Sequence, residues 1–207
     1  MMLFKKPANH FVSDKKDETF TVAPEDIPTP KALYFKGLSN CTVTVTAPCT
    51  KLQIEACEGT LFILKGRIVT QVVEMWRSSK LKLRVEAVAR TVQADDVKGL
   101  DLVYSDKALF ETVVWTMCED LSIRLDGSEG NTFHTGLSQA KLQTHKDISE
   151  ILDSDQFIVR LVDGVLANEV VVRIGGGFAT TVRDDDAFTE KQKRDQEKLA
   201  NINKLER

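Results

Sequence analysis

Val43-Thr44-Val45, Leu52-Gln53-Ile54, Leu61-Phe62-Ile63, Val73-Glu74-Met75, Leu81-Lys82-Leu83, Val92-Gln93-Ala94, Leu100-Asp101-Leu102, Val113-Val114-Trp115 and Leu121-Ser122-Ile123 set the pattern of this chain. Each triplet has the period-2 alternation of a strand buried on one side. Helical periodicity is absent between them, and turn-prone residues (Asn40, Pro48, Gly59, Gly66, Ser78-Ser79, Asp95-Asp96, Gly99, Glu119-Asp120) separate them. Alternate triplets begin at 43, 61, 81, 100 and 121, and the others at 52, 73, 92 and 113. Both series advance about 20 residues at a time, as expected of a backbone that lays down two strands per coil and stacks each coil on the last. The prediction is an all-β fold, a right-handed parallel β-helix. A sandwich would also give short strands, but its usual Asn-Gly or Asp-Gly hairpin turns do not occur between residues 40 and 125.

Working outward, Leu33-Tyr34-Phe35 is a candidate cap for the N-terminal end, after a proline-punctuated stretch from Pro24 to Pro30. Residues 1–31 are expected to form an extended arm and residues 32–175 the β-helix domain. Gly127 to Gly130 breaks the pattern, and residues 131–156 read as a polar loop with at most a short turn. Strand signal resumes at Phe157 and continues to Ile174, with Asp163-Gly164 marking a hairpin over 157–174. A two-stranded hairpin is marginal alone, so it must pack on its own solenoid or on a second copy. Residues 176–207 are expected to be a glycine hinge (Gly175-Gly176-Gly177) and a short charged helix. Thr189 with Gln192 fits a capping box for that helix, and Leu199, Ile202 and Leu205 form a stripe that could dock into a partner.

Composition bounds the function. The 207 residues carry 28 Lys+Arg and 31 Asp+Glu, a formal net charge of −3, which argues against a general affinity for nucleic acid or anionic membranes. No apolar run approaches the roughly 20 residues needed to cross a bilayer. The opening MMLFKKPANHF has two lysines without an apolar run after them, so a secretory signal is not expected. The expected setting is the cytosol. Cys41, Cys49, Cys57 and Cys118 lack close-pair metal spacing, and the three histidines (His10, His134, His145) lie far from them, so they are expected as core thiols. Asp184-Asp185-Asp186 lacks the glycine and downstream glutamate of a calcium loop and reads as negative charge near a helix N-terminus. No nucleophile–histidine pairing or phosphate loop is present, so no cofactor and no covalent catalysis are expected.

The stretch Leu33-Tyr34-Phe35-Lys36, Leu52-Gln53-Ile54, Val73-Glu74-Met75, Leu81-Lys82-Leu83-Arg84-Val85, Leu102-Val103-Tyr104-Ser105 and Leu121-Ser122-Ile123-Arg124-Leu125 resembles the C-terminal domain of cyclase-associated proteins. The segment Asp155-Gln156-Phe157, Asp163-Gly164 and Val170-Val171-Val172 resembles that family's exchanged hairpin. The resemblance implies a non-enzymatic cytoskeletal regulator that binds actin monomers and promotes their ADP/ATP exchange. It also implies a homodimer formed by hairpin exchange, in which Phe157, Val159, Leu161, Val170 and Val172 would be buried. On the solvent side, Thr44, Phe62, Lys82, Asp101 and Ser122 are expected on one strand series, and Gln53, Glu74, Gln93 and Val114 on the other. Phe62, Lys82, Arg84 and Asp101 are the candidate partner-binding residues. The alternatives for Phe62 are an inward orientation after a one-residue register slip, or cover by the hairpin. Two competing readings stand beside actin regulation. One is a scaffold subunit of a ciliary or other cytoskeletal assembly. The other, by resemblance to tubulin-folding cofactor C, has Arg84 stimulating GTP hydrolysis by a partner.

Overall fold

A computed structural model describes residues 9–126, 132–142 and 150–205, with the side chains of 199–205 excepted. His145, the glycines of 127–130 and the side chains of Leu199, Ile202 and Leu205 lie outside the described residues. The chain divides into two compact units, residues 1–168 and 169–207.

The first unit is a parallel β-helix. Its strands are β1 (His10–Ser13), β2 (Thr19–Val22), β3 (Ala32–Lys36), β4 (Thr42–Val45), β5 (Lys51–Glu55) and β6 (Leu61–Leu64). Two long strands follow, β7 (Val72–Val85) and β8 (Thr91–Tyr104), then β9 (Thr112–Thr116), β10 (Glu119–Arg124) and β11 (Thr132–Thr135). One face carries β1-β3-β5-β7-β8-β9 and then β12 (Gln156–Val162) and β13 (Val165–Val170). The second face carries β2, β4, β6, the later halves of β7 and β8, then β10 and β11. Pairing is parallel from coil to coil and becomes antiparallel only at the end, where β12 closes on β9 and β11 on β10. Those closing strands cover edges that would otherwise offer a template to other chains.

Each coil turns between the faces through the same corner. Two left-handed residues flank it, and they recur as Asp14/Asp17, Gly37/Asn40, Ala56/Gly59, Arg77/Lys80, Asp96/Gly99 and Met117/Asp120, all at φ between 50° and 74°. The side chain after the first of each pair points inward in the later coils: Leu38, Cys57, Ser78, Val97 and Cys118 are buried. Left-handed backbone costs a side-chain-bearing residue roughly 1–2 kcal/mol, and glycine nothing. Ala56 sits at φ 50° and is exposed, so Ala56→Gly is expected to stabilise the fold by about 0.5–1 kcal/mol. Urea denaturation checks this, and a destabilised variant would mean that the corner is not strained.

Inside, the residues stack in rows. Leu33, Leu52, Val73, Val92, Val113 and Val159 align on the first face, as do Phe35, Ile54, Met75, Ala94, Trp115 and Phe157, and all are fully buried. On the second face Val43, Phe62, Leu83, Leu102 and Ile123 form the matching row. Burying each large aliphatic contributes roughly 1.5–3 kcal/mol. The four cysteines are free and buried as expected, and desolvation raises the thiols of Cys49, Cys57 and Cys118 to about 11.

The structure corrects several expectations. Residues 10–22 are not an arm: β1 and β2 pair with β3 and β4 as a first coil, and the proline-rich stretch is that coil's long connection, anchored by buried Ile27. The polar loop after the solenoid contains β11 and a one-turn helix, α1 (Leu137–Lys141). Val172 is not in the hairpin's second strand. It begins β14 (Val172–Arg173), which pairs antiparallel with β15 (Ala179–Thr180) in the second unit. The three glycines are part of the turn of that small hairpin, where Gly176 and Gly177 take φ +86° and +81° and Gly177 N–H donates to the Ile174 carbonyl. The helix α2 (Val182–Leu205) begins seven residues before Thr189, and the Thr181 hydroxyl accepts from Asp184 N–H at its start. No helix among the described residues is long and apolar enough to cross a membrane.

Candidate functional site

The corner geometry decides which side chains reach solvent. On the second face the residue three positions after the second left-handed residue points inward: Val43 after Asn40, Phe62 after Gly59, Leu83 after Lys80. Phe62 is therefore core, fully buried with its ring 5.1 Å from that of Phe35. The expectation of an exposed Phe62 anchor fails because Leu61-Phe62-Ile63-Leu64 is apolar at four consecutive positions, so alternation alone fixes no register there. Gly59, aligned with Asn40 by a 19-residue step, was the signal that could have placed it.

The outward residues of this face form two rows. Thr42, Leu61, Lys82, Asp101 and Ser122 align in one, and Thr44, Ile63, Arg84, Val103 and Arg124 in the other. Lys82, Arg84 and Asp101 thus lie together on this surface. Leu61, Ile63 and Arg124 join them unannounced, and Thr44 lies in the second row rather than beside Lys82. The face passes from threonines and two half-buried aliphatic side chains to a charged end.

Asp101 organises that end. Its carboxylate accepts from the Ser122 hydroxyl at 2.7 Å and from Arg124 at 2.6 Å, and lies 3.3 Å from Lys82 Nζ. Desolvation pushes its pKa up, but the bonds from Ser122 and Lys82 and the charges of Arg124 and Lys82 outweigh that and hold it below the usual carboxylate range. A depressed carboxyl stabilises the fold fully above its unfolded value, near 3.9, and loses that contribution as pH falls through the folded value. The melting-temperature gap between the wild type and Asp101→Asn is expected to be open at pH 6–7 and to close below about pH 4. A gap independent of pH would remove Asp101 from this role. Arg84 donates through Nε to Glu86 at 2.7 Å, and Lys65 approaches the same carboxylate at 3.6 Å. A cavity of about 230 Å³ opens between Lys82, Arg84, Val103, Ser105 and Arg124.

The outer row of the first face bears Gln53, Glu74, Gln93 and Val114 in line, as the alternation predicts. Sequence reasoning missed its aromatic end, where Phe11 and Tyr34 stand 5.2 Å apart and Tyr34 and Trp76 5.8 Å apart. Beneath them the buried Glu55 carboxylate accepts from Tyr34 and Arg77 and lies 3.4 Å from Lys36. Among the described residues no group of three His, Cys, Asp or Glu is placed to hold a metal ion.

The hairpin residues separate into two kinds. Phe157 and Val159 are buried against β9, with the Phe157 ring stacked on Trp115 at 4.1 Å. Leu161 is only half-buried and lines a second cavity, of about 380 Å³, with Leu125, Phe133, Val165 and Leu166. In the single chain the hairpin therefore docks on its own last coil.

With this solenoid and its outer surface described, comparison with protein families finds a match to adenylate cyclase associated (CAP) C terminal over residues 6–172. The chain belongs to that family. The match begins before β1, consistent with a first coil rather than an arm, and ends at the start of β14. No curated protein matches the chain. This CAP C-terminal domain is followed by residues 173–207, which the family pattern does not cover.

Proposed function

We propose that this domain binds actin monomers through the outer surface of its second face and promotes replacement of their ADP by ATP. Family membership implies actin binding, and the observation that supports this face is the two-row surface on which Leu61 and Ile63 adjoin Lys82, Arg84 and Asp101. A flat rigid ladder of aliphatic side chains edged by charge suits a protein interface, with arginine the expected hot spot. Exchange by such a surface needs no proton transfer. It needs tighter binding to the nucleotide-open conformer of actin than to the closed one, which shifts the population toward release. The test is release of a fluorescent nucleotide from ADP-actin. Acceleration by the wild type, weakened at least several-fold in Lys82→Ala and Arg84→Ala, is expected; no acceleration at saturating protein overturns the reading.

The domain acts as a homodimer in this proposal. Exchange of β12–β13 would replace each Trp115–Phe157 stack by the same stack between copies, with no new contact chemistry. Light scattering at micromolar concentration tests it, and a monomer excludes exchange.

A second reading is favoured by the separate compact unit at residues 169–207 and its 24-residue charged helix. In it the β-helix is a scaffold subunit of a cytoskeletal assembly, held there by α2 through Leu199, Ile202 and Leu205. Deleting residues 178–207 would then abolish incorporation while leaving the β-helix folded.

A further inference from the structure

We infer that the pocket between Lys82, Arg84 and Arg124 is a binding site for a phosphate group. Among the described residues its lining holds three cationic side chains, Ser105 and Val103, and no carboxylate. The neighbouring acids leave this excess unbalanced. Two carboxylates serve the three cations: Asp101 is shared by Lys82 and Arg124, and Glu86 pairs with Arg84 at Nε, which leaves one positive charge in excess. Arg124 is the telling member. Its side chain is only 17% exposed, one terminal nitrogen is bonded to Asp101, and its Nε is buried without a hydrogen-bond partner among the described residues. The bond to Asp101 fixes this guanidinium at the cavity wall, so an anion there would meet a cation already held in place.

The number of donors selects the anion. Two guanidinium groups, an ammonium and a hydroxyl surround one cavity of about 230 Å³. A phosphate brings more negative charge than a carboxylate and spreads its acceptor oxygens tetrahedrally, so it can face donors on several sides of the cavity, whereas a carboxylate brings one charge and accepts in a single plane. Among the described residues the lining contains no aromatic ring on which a base could stack. The recognised part is therefore the phosphate itself, free or carried by a small ester. Local cation excess is what matters here, so a chain of net charge −3 can still hold the site.

This inference goes beyond actin binding and does not depend on it. The ¹⁵N-labelled chain is titrated with inorganic phosphate, O-phosphoserine and acetate at matched ionic strength. Saturable shifts at Val103, Ser105 and Arg124 are expected with both phosphates and not with acetate. Tighter binding of O-phosphoserine assigns an esterified ligand, and equal binding assigns the free anion; both support the site. Arg84→Gln, whose side chain is largely exposed and whose loss should not unfold the chain, is expected to weaken phosphate about tenfold. An acetate response equal to that of phosphate, or shifts unchanged in Arg84→Gln, overturns the inference whatever the nucleotide-exchange assay shows.

Discussion

Replacing Phe62 with alanine is expected to cost about 3–5 kcal/mol of folding stability and to leave the partner affinity of the remaining folded protein unchanged. The ring lies between Val43 and Leu83 in the inward row of the second face and meets Phe35 across the interior. In a solenoid this width, an alanine there leaves a cavity that neighbouring coils cannot fill, because each is pinned by its own corner and its ladder of backbone bonds. Urea denaturation at constant m-value gives the cost, and a binding assay below the transition gives the affinity. Phe62→Leu keeps most of the volume and should lose much less, which separates packing from any specific ring contact. A variant of normal stability that no longer binds its partner would return Phe62 to the surface and require the whole face to slip by one residue. Lys82→Ala and Arg84→Ala should do the opposite, altering binding with little effect on stability, because both side chains are exposed.

What could be read from sequence followed the strength of the repeat. Where triplets were separated by polar residues, as at Val43-Thr44-Val45 or Leu81-Lys82-Leu83, inside and outside were legible because a one-residue slip would bury a threonine or lysine. At Leu61 to Leu64 a slip cost nothing in hydrophobicity, and the corner decided instead. Corners were the underused signal: Asp, Asn and Gly recur at the left-handed positions, but Ala56, Arg77, Lys80 and Met117 occupy the same positions with no such preference. The first coil was missed because Thr19-Phe20-Thr21-Val22 is short and followed by prolines, which suit a long connection as well as an arm. The helix start shows a similar ambiguity. Thr189-x-x-Gln192 reads as a cap, but the helix opens at Val182, where the Thr181 hydroxyl accepts from Asp184 N–H. The charged cluster was legible only in part. Lys82 and Asp101 are neighbours because 82 and 101 are one coil apart, and Arg124 enters from two coils beyond Lys82 through Asp101, an arrangement no local motif announces.

The same register that buries Phe62 gives the outer surface its division of labour. Each outward row samples one residue per coil, so a substitution every 19–21 residues rewrites one stripe without touching the core. Half-buried Leu61 and Ile63 and exposed Lys82 and Arg84 are thereby held about one strand spacing apart on a backbone that does not have to reorganise on binding. A surface of that kind spends little of its binding energy on ordering itself, which is the condition for discriminating between two conformers of a partner.

Trp115→Ala is expected to have the second large effect, again about 3–5 kcal/mol, but distributed differently along the chain. Trp115 belongs to the last parallel strand of the first face, and what covers it is the hairpin. Its ring stacks on Phe157, and its indole N–H donates to Asn168 Oδ1 at 2.9 Å. Alanine removes the stack, worth about 0.5–1.5 kcal/mol beyond burial, and leaves the half-buried Asn168 amide oxygen without this donor. Those losses fall between β9 and the two strands of the hairpin, β12 and β13, so the hairpin should open before the solenoid unfolds. Hydrogen exchange reads this directly: amides of β12 should exchange faster in the variant by a larger factor than amides of β5. Opening also uncovers the edge of β9, and light scattering should rise with concentration as unpaired edges associate. Uniform acceleration across β5 and β12 would mean that cap and solenoid unfold as one unit, in which case hairpin exchange between copies could not occur without unfolding the coils themselves. Trp115 thus tests the step on which a dimer of this domain depends, whichever chain supplies Phe157.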